Sequence, residues 1–207
     1  MKLEHLTVNY DGLTVAQDLT LELPDRGMIC FFAPSGTGKT TLLNVLCGLH
    51  KPQSGQMLGL EGKRFAFVFQ EDRLIPELSA RDNVGLVLDK NRQELAETFL
   101  ARLGLGGWEK AYPDELSGGM QRRVAIARAL AYGEQHRGEV VYLFDEPLKG
   151  LDEQTAGEVL EVIRTQTAGS LSFFITHDRE EAQRLSDVIV CFAGPPLQVT
   201  QVIDNRK

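Results

Sequence analysis

Near the start of the chain Leu19, Leu21 and Leu23 alternate with Thr20 and Glu22, the period of a half-buried strand. Asp11-Gly12 lies between two apolar-rich stretches and predicts a hairpin turn. Pro24-Asp25-Arg26-Gly27 predicts a second turn. The pattern then changes. Met28, Ile29, Cys30, Phe31 and Phe32 are continuously apolar, as in a strand covered on both faces. Past a glycine-containing loop, Leu42, Val45, Leu46 and Leu49 recur on one helical face. Gly48 and Pro52 close that helix. Buried-strand runs return at residues 140–144, 173–176 and 188–192, with helical stretches over 154–166 and 180–185. Such alternation predicts an α/β fold around a mainly parallel sheet. Residues 71–137 lack strand runs and predict helices over 80–88, 92–103 and 118–132. The expected organisation is a single domain over 1–207. Residues 1–70 and 138–207 form the α/β core with an N-terminal antiparallel β subdomain, and 71–137 form an inserted helical subdomain.

Composition narrows this further. Hydrophobic residues are 43% of the 207 and charged residues 25%, which suits a packed core and excludes a disordered chain. Lys and Arg number 22 against 29 Asp and Glu, a net charge of −7. Proteins that hold free nucleic acid usually carry net positive charge or a strong basic patch, so no nucleic-acid partner is expected. A small phosphate ligand stays open, since a few backbone N–H groups and one lysine suffice for it. Runs such as 28–33 and 140–144 fall far short of the roughly 20 residues a membrane span needs. Residues 1–10 have no apolar leader core, and the expectation is a chain that stays in the cytoplasm unless something anchors it. Cys30, Cys47 and Cys191 are odd in number and widely spaced. They predict buried free thiols in a reducing compartment rather than disulfides or a zinc site. His5, His50 and His136 have no partner evident from the sequence.

Three motifs carry chemistry. Ala33-Pro34-Ser35-Gly36-Thr37-Gly38-Lys39-Thr40 follows a buried strand and opens a helix, the setting of a phosphate-binding loop. Consecutive N–H groups there wrap phosphate oxygens, aided by the positive helix end. Lys39 reaches the β- and γ-phosphates, and the Thr40 hydroxyl is a Mg²⁺ ligand. Ala33 replaces the glycine that usually opens this loop, and would be strained if the position needed a positive φ.

The second motif is Val140-Val141-Tyr142-Leu143-Phe144-Asp145-Glu146. It delivers two carboxylates to the C-terminal end of a strand, where ligands bind in α/β sheets. Asp145 suits Mg²⁺, and Glu146 suits orienting or deprotonating a water. An ordinary strand end accounts for this motif taken alone. In the third, Leu116-Ser117-Gly118-Gly119-Met120, Ser117 is a natural N-cap. The two glycines permit close approach of an anion to the helix start, although a capping turn alone also explains them.

In their order these residues resemble the ATP-binding subunits of ABC transporters over nearly the whole chain. APSGTGKTT is similar to that family's Walker A loop, LSGGMQRRVAIARAL to its signature, and VVYLFDEP to its Walker B strand. Gly150-Leu151-Asp152 resembles the D-loop. Gln70 stands at the Q-loop glutamine, His177 at the switch histidine, and Tyr10 where an aromatic stacks on adenine. The resemblance implies a P-loop NTPase fold and ATP hydrolysis with Mg²⁺. It implies nucleotide contacts by Tyr10, Ser35, Gly36, Thr37, Gly38, Lys39, Thr40, Thr41 and Asp152, and by Ser117, Gly118 and Gly119 acting in trans across a dimer. Glu146, His177 and Gln70 take catalytic roles; Thr40, Gln70 and Asp145 hold the metal.

The partners it implies are integral membrane permease subunits, a second and identical ATP-binding subunit, and an external solute-binding protein, at the cytoplasmic face of the membrane. The run QEDRLIPELSARDNV with LSGGM resembles importers of nitrate, sulfonates, taurine and thiamine-precursor pyrimidines, and residues 73–83 would dock the permease. A non-transport ABC-type ATPase with a mechanical role at the membrane, in cell division or lipoprotein release, is the alternative; the signature argues against a kinase. Lys149 departs from the small or apolar residue commoner in the D-loop. The stretch between Pro52 and Gln70 is short for the family, and no regulatory C-terminal domain is expected.

Overall fold

The computed structural model describes residues 1–206. The chain clusters into two compact units. The first comprises Met1–Phe65 and the chain from Gly169 onward; the second is Ala66–Ala168.

In the first unit, strands β1 (Lys2–Tyr10), β2 (Leu13–Glu22) and β4 (Ser54–Leu58) form an antiparallel sheet in the order β2-β1-β4. Asp11 and Gly12 turn β1 into β2 with φ of 51° and 79°, the double left-handed geometry that matches strand twist in a two-residue hairpin. Leu3, Leu6, Val8, Leu19 and Leu21 supply its buried face.

The same unit carries β3 (Gly27–Phe32), β7 (Leu171–Thr176) and β8 (Val188–Ala193), with β3 parallel to and between the other two. Strand β9 (Gln198–Asp204) adds antiparallel to β8. Every residue of β7 is buried, and Phe31 packs on Phe173 and Phe192 at ring-centroid distances of 5.2 and 5.4 Å. Helix α1 (Lys39–Leu46) buries Leu42, Leu43, Val45 and Leu46. Leu49, expected on that face, is instead 63% exposed. The helix stops before it, because Gly48 turns left-handed at φ 77° and carries the chain off the helical path. Only Cys30 of the three free thiols is buried, and desolvation pushes it up to about 12; Cys47 and Cys191 are partly exposed.

The second unit begins within β5 (Arg64–Val68), which neighbours β6 (Val140–Asp145). Its centre is α4 (Gly118–Gln135), an 18-residue helix buried along much of its circumference through Val124, Ile126, Ala127, Leu130 and Ala131. Small side chains allow close packing, and at Gly133 even a methyl is excluded. A Cβ there would stand 2.1 Å from the hydroxyl oxygen of buried Tyr142. Helices α2 (Ala80–Gly85) and α3 (Glu94–Arg102) pack against α4, and α5 (Glu153–Thr167) follows β6.

The helix expected over 92–103 is split into a 3-10 turn at Lys90–Arg92 and α3. The Gln93 side-chain amide bridges the break. It donates to the carbonyls of Gly85 and Leu88, both at 3.1 Å, and so satisfies the open end of α2, which stops at Gly85 rather than 88. Among the described residues no helix is long and apolar enough to cross a membrane.

Candidate functional site

The phosphate loop belongs to the first unit. Strand β3 ends at Phe32, which pairs with Thr176 of β7 and Cys191 of β8. The loop at residues 33–38 and His177 therefore leave the parallel strands at the same, C-terminal end, where α/β sheets bind ligands. Gly36 and Gly38 have φ of 78° and 100°. At Gly38 a Cβ would lie 2.4 Å from Val15 Cγ1, so both conformation and space demand glycine. Ala33 is not among the left-handed residues, so its replacement of glycine costs no backbone strain.

Gly38 caps α1 without a side-chain hydrogen bond to the first-turn amides. Those N–H groups are the donors that a helix start offers to an anion. Thr37 Oγ1 donates to the Pro34 carbonyl at 2.9 Å and stiffens the loop. Lys39 is 5% exposed, and its ammonium donates to the carbonyls of Ala33 at 2.7 Å and Pro34 at 2.8 Å. A buried ammonium at the start of a helix is placed to take an anionic ligand. Thr40 is exposed, and Thr41 is partly so.

Thr176 Oγ1 donates to Glu181 and accepts from the Asp178 amide, while Asp178 caps α6 (Arg179–Leu185). These bonds set the backbone on both sides of exposed His177. Tyr10 is 52% exposed at the end of β1 and meets the His50 ring edge-on at 5.3 Å. His50 is anchored in turn through Nε2 to the Asn9 carbonyl at 2.9 Å. It thus has partners that the sequence did not disclose, as do His5, paired with Asp18 at 2.7 Å, and His136, against Tyr132 at 4.5 Å.

The carboxylate strand end and the signature helix belong to the second unit. All of β6 is buried, and Asp145 at its end is 2% exposed. Glu146 follows with φ 47°, a left-handed conformation that costs a non-glycine residue about 1 kcal/mol or more. That turn lays its carboxylate beside Lys149, with Nζ 3.1 Å from Oε2. Ser117, Gly118 and Gly119 open α4, where Ser117 Oγ accepts from the Met120 amide at 3.3 Å. Ser117 and Gly118 are exposed. Asp152 caps α5, accepting from the Thr155 amide at 3.0 Å, and that N–H holds its carboxyl below the usual range.

Gln70 is exposed just beyond β5. Its backbone carbonyl, with those of Phe69, Asp145, Glu146 and Pro147, accepts from the guanidinium of Arg122. Neither Arg122 nor the Lys149–Glu146 pair was singled out as functional from sequence. A run of arginines on a helix has no distinctive period, and only the folded loop brings five carbonyls to one of them.

Thr40, Asp145 and Gln70 each carry a hard oxygen donor of the kind that suits Mg²⁺. Among the described residues no cluster of three or more His, Cys, Asp or Glu stands ready for a metal.

The family model described as ABC transporter matches residues 16–149. An Fe(3+) ions import ATP-binding protein of Pectobacterium atrosepticum is 35% identical over 92% of this chain. An aliphatic sulfonates import ATP-binding protein of Bacillus cereus is also 35% identical, over 93%. The chain spans 57% of the first relative's length and 79% of the second's. A solved dimeric ATP-binding cassette in a post-hydrolysis state, bound to ADP and Pi, superposes with a TM-score of 0.84 at 26% identity. It covers 100% of this chain and 99% of that one. With a matching phosphate loop, carboxylate strand end and signature helix in one chain, this protein belongs to the ABC transporter family, as one of its ATP-binding ATPase cassettes.

Proposed function

We propose that this chain is the ATP-hydrolysing motor of an importer of a small solute, working as a dimer on the cytoplasmic face of the membrane through permease subunits. An external solute-binding protein delivers the cargo, which is of the nitrate, sulfonate, taurine or pyrimidine-precursor class. The sulfonate-import relative supports that class. The observation that carries the reading is Lys39, buried where the loop opens a helix behind left-handed Gly38, with its ammonium bonded to the Ala33 and Pro34 carbonyls.

In this reading ATP draws the Lys39 ammonium onto its β- and γ-phosphates while Ser35, Gly36, Thr37, Gly38, Thr40 and Thr41 enclose them. Tyr10 stacks on the adenine. Thr40, Asp145 and Gln70 hold Mg²⁺, which supplies charge neutralisation at the phosphates when bound. Glu146 orients and deprotonates the attacking water, and His177 holds that water and the γ-phosphate. Gln70 senses the γ-phosphate. Ser117, Gly118 and Gly119 of the partner close over the nucleotide and stabilise charge in trans, and Asp152 adds a contact across the dimer. Residues 73–83 form the permease-docking face. There Asn83 accepts from the Ile75 amide at 2.8 Å and leaves the Ile75 side chain 40% exposed.

Glu146→Gln tests this. Removing a general base costs about 10²–10⁴ in rate, and the variant should bind ATP and elute as a stable dimer in size-exclusion chromatography with ATP present. Parental turnover would overturn Glu146 as the base, and a monomer under ATP would overturn the dimer.

A further inference from the structure

Arg122 makes six hydrogen bonds and is almost fully buried. Nε donates to the Pro147 carbonyl at 3.0 Å. Nη2 donates to the carbonyls of Asp145 at 2.8 Å and Glu146 at 2.7 Å. Nη1 donates to the carbonyls of Phe69 at 2.6 Å and Gln70 at 3.3 Å, and to Asp72 Oδ1 at 3.0 Å. A guanidinium has five N–H donors in a rigid fork, so every one is engaged and one is shared. Among the described residues Asp72 brings the opposite charge. The rest of the solvation of this buried cation comes from carbonyl dipoles of two chain segments, so displacing either segment exposes an expensive charge.

One of those segments carries the strained residue. The two Nη2 bonds fall on the carbonyls before and at Glu146, whose φ is 47°. An unfavourable backbone persists where its surroundings over-determine it. The other segment is held twice from the same helix. Arg128 donates to the carbonyls of Asp72 at 2.8 Å and Arg73 at 3.0 Å. Arg73, itself left-handed at φ 48°, lays its guanidinium over the Phe69 ring at 3.8 Å. Helix α4 therefore grips both the backbone that presents Gln70 and the backbone that presents Glu146. Arg122 stands about one turn beyond the Ser117-Gly118-Gly119 start of that helix.

We infer that Arg122 couples the two nucleotide sites of the dimer. This rests on the dimeric reading above, in which the start of α4 serves the partner's nucleotide while Gln70 and Glu146 serve the chain's own. A shift of α4 on engaging the partner's γ-phosphate moves Arg122, and with it the peptide units of Glu146 and Gln70. Occupancy of one site is thereby felt at the other, a coupling between sites in the strict sense. Arg122 is a positioning residue, since its N–H donors are all taken by this chain's own carbonyls and Asp72.

The test is the ATP dependence of hydrolysis by the full chain, with Arg122→Gln and Arg122→Lys compared with the parent. The parent should show a Hill coefficient clearly above 1, and both variants a coefficient near 1. Lysine keeps the charge but has three donors on one nitrogen and no fork, so its failure to rescue assigns the effect to the geometry. ATP binding by the monomer, read with a fluorescent ATP analogue, should change less than about twofold, because the phosphate loop is intact. A role confined to stability would lower the melting temperature and leave the coefficient unchanged, which overturns the inference. A parental coefficient of 1 overturns it as well. Glu146→Gln under ATP separates the layers. If it forms no dimer, the dimeric reading and the coupling both fall; if it dimerises and the Arg122 variants stay cooperative, the coupling alone falls.

Discussion

Lys149 illustrates how one side chain can set the resting state of a site. Its ammonium is 57% exposed, whereas the Glu146 carboxylate it meets is 12% exposed. The less exposed partner is thus held by a more exposed one. In the hydrolytic reading this contact competes with the attacking water for the same oxygen. An ion pair with one partner so exposed is worth about 0.2–1 kcal/mol, a factor of about 1.5–5 in rate. Lys149→Ala should therefore raise kcat by about that factor. It should also flatten the parental dependence of rate on salt, since screening acts on the pair that has been removed. Steady-state assays from low to high ionic strength decide this. An unchanged or lower kcat with the parental salt profile would show that the pair is already broken when the enzyme turns over.

At the scale of elements the second unit is organised by α4, and its fit against β6 is tight at one point. Gly133→Ala drives a methyl into the Tyr142 ring, with Oη, Cζ and Cε1 all within 2.4 Å of the new Cβ. Overpacking of this kind costs about 1–3 kcal/mol, and calorimetry should show the melting temperature lowered by a few degrees or more per variant. A melting temperature equal to the parent's would mean that the helix end yields freely.

The same helix shows what patterning can and cannot disclose. Its start at Ser117 and its course were legible, because a cap followed by apolar residues is a local signal. So were the buried strands β3, β6, β7 and β8, whose runs are mostly apolar. Strands β4 and β9 were not legible. They lie at sheet edges with mostly exposed side chains, so backbone pairing alone makes them strands. The end of α1 before Leu49 and the break at Gln93 were also hidden. Each depends on one residue's geometry or on an amide reaching across a turn. Of the site, the phosphate loop, the carboxylates and the signature were readable because their chemistry requires contiguous residue types. Arg122 was not, because its partners lie about 50 and 25 residues away along the chain.

At the scale of the whole molecule the proposed site is complete only in a pair of chains. Two-fold symmetry makes the contact reciprocal, so each phosphate loop faces the other chain's signature. Lys39→Ala removes one component and Ser117→Arg blocks the other, and a homodimer of either has two dead sites. In a hybrid of the two, one site combines both defects, while the other pairs an intact Lys39 with an intact Ser117. If subunits mix at random and one site suffices, an equimolar mixture should recover up to about a quarter of parental turnover from two inactive proteins. The converse mixture guards against residual activity. Unaltered chain with an excess of the double variant Lys39→Ala/Ser117→Arg forms hybrids with no intact site, so the double variant should poison the unaltered chain. A site built within one chain predicts the opposite in both mixtures. The two variants would not complement, and the unaltered chain would keep its full rate whatever the excess. Measuring ATP hydrolysis across both titrations therefore decides whether α4 of one chain works on the nucleotide of the other.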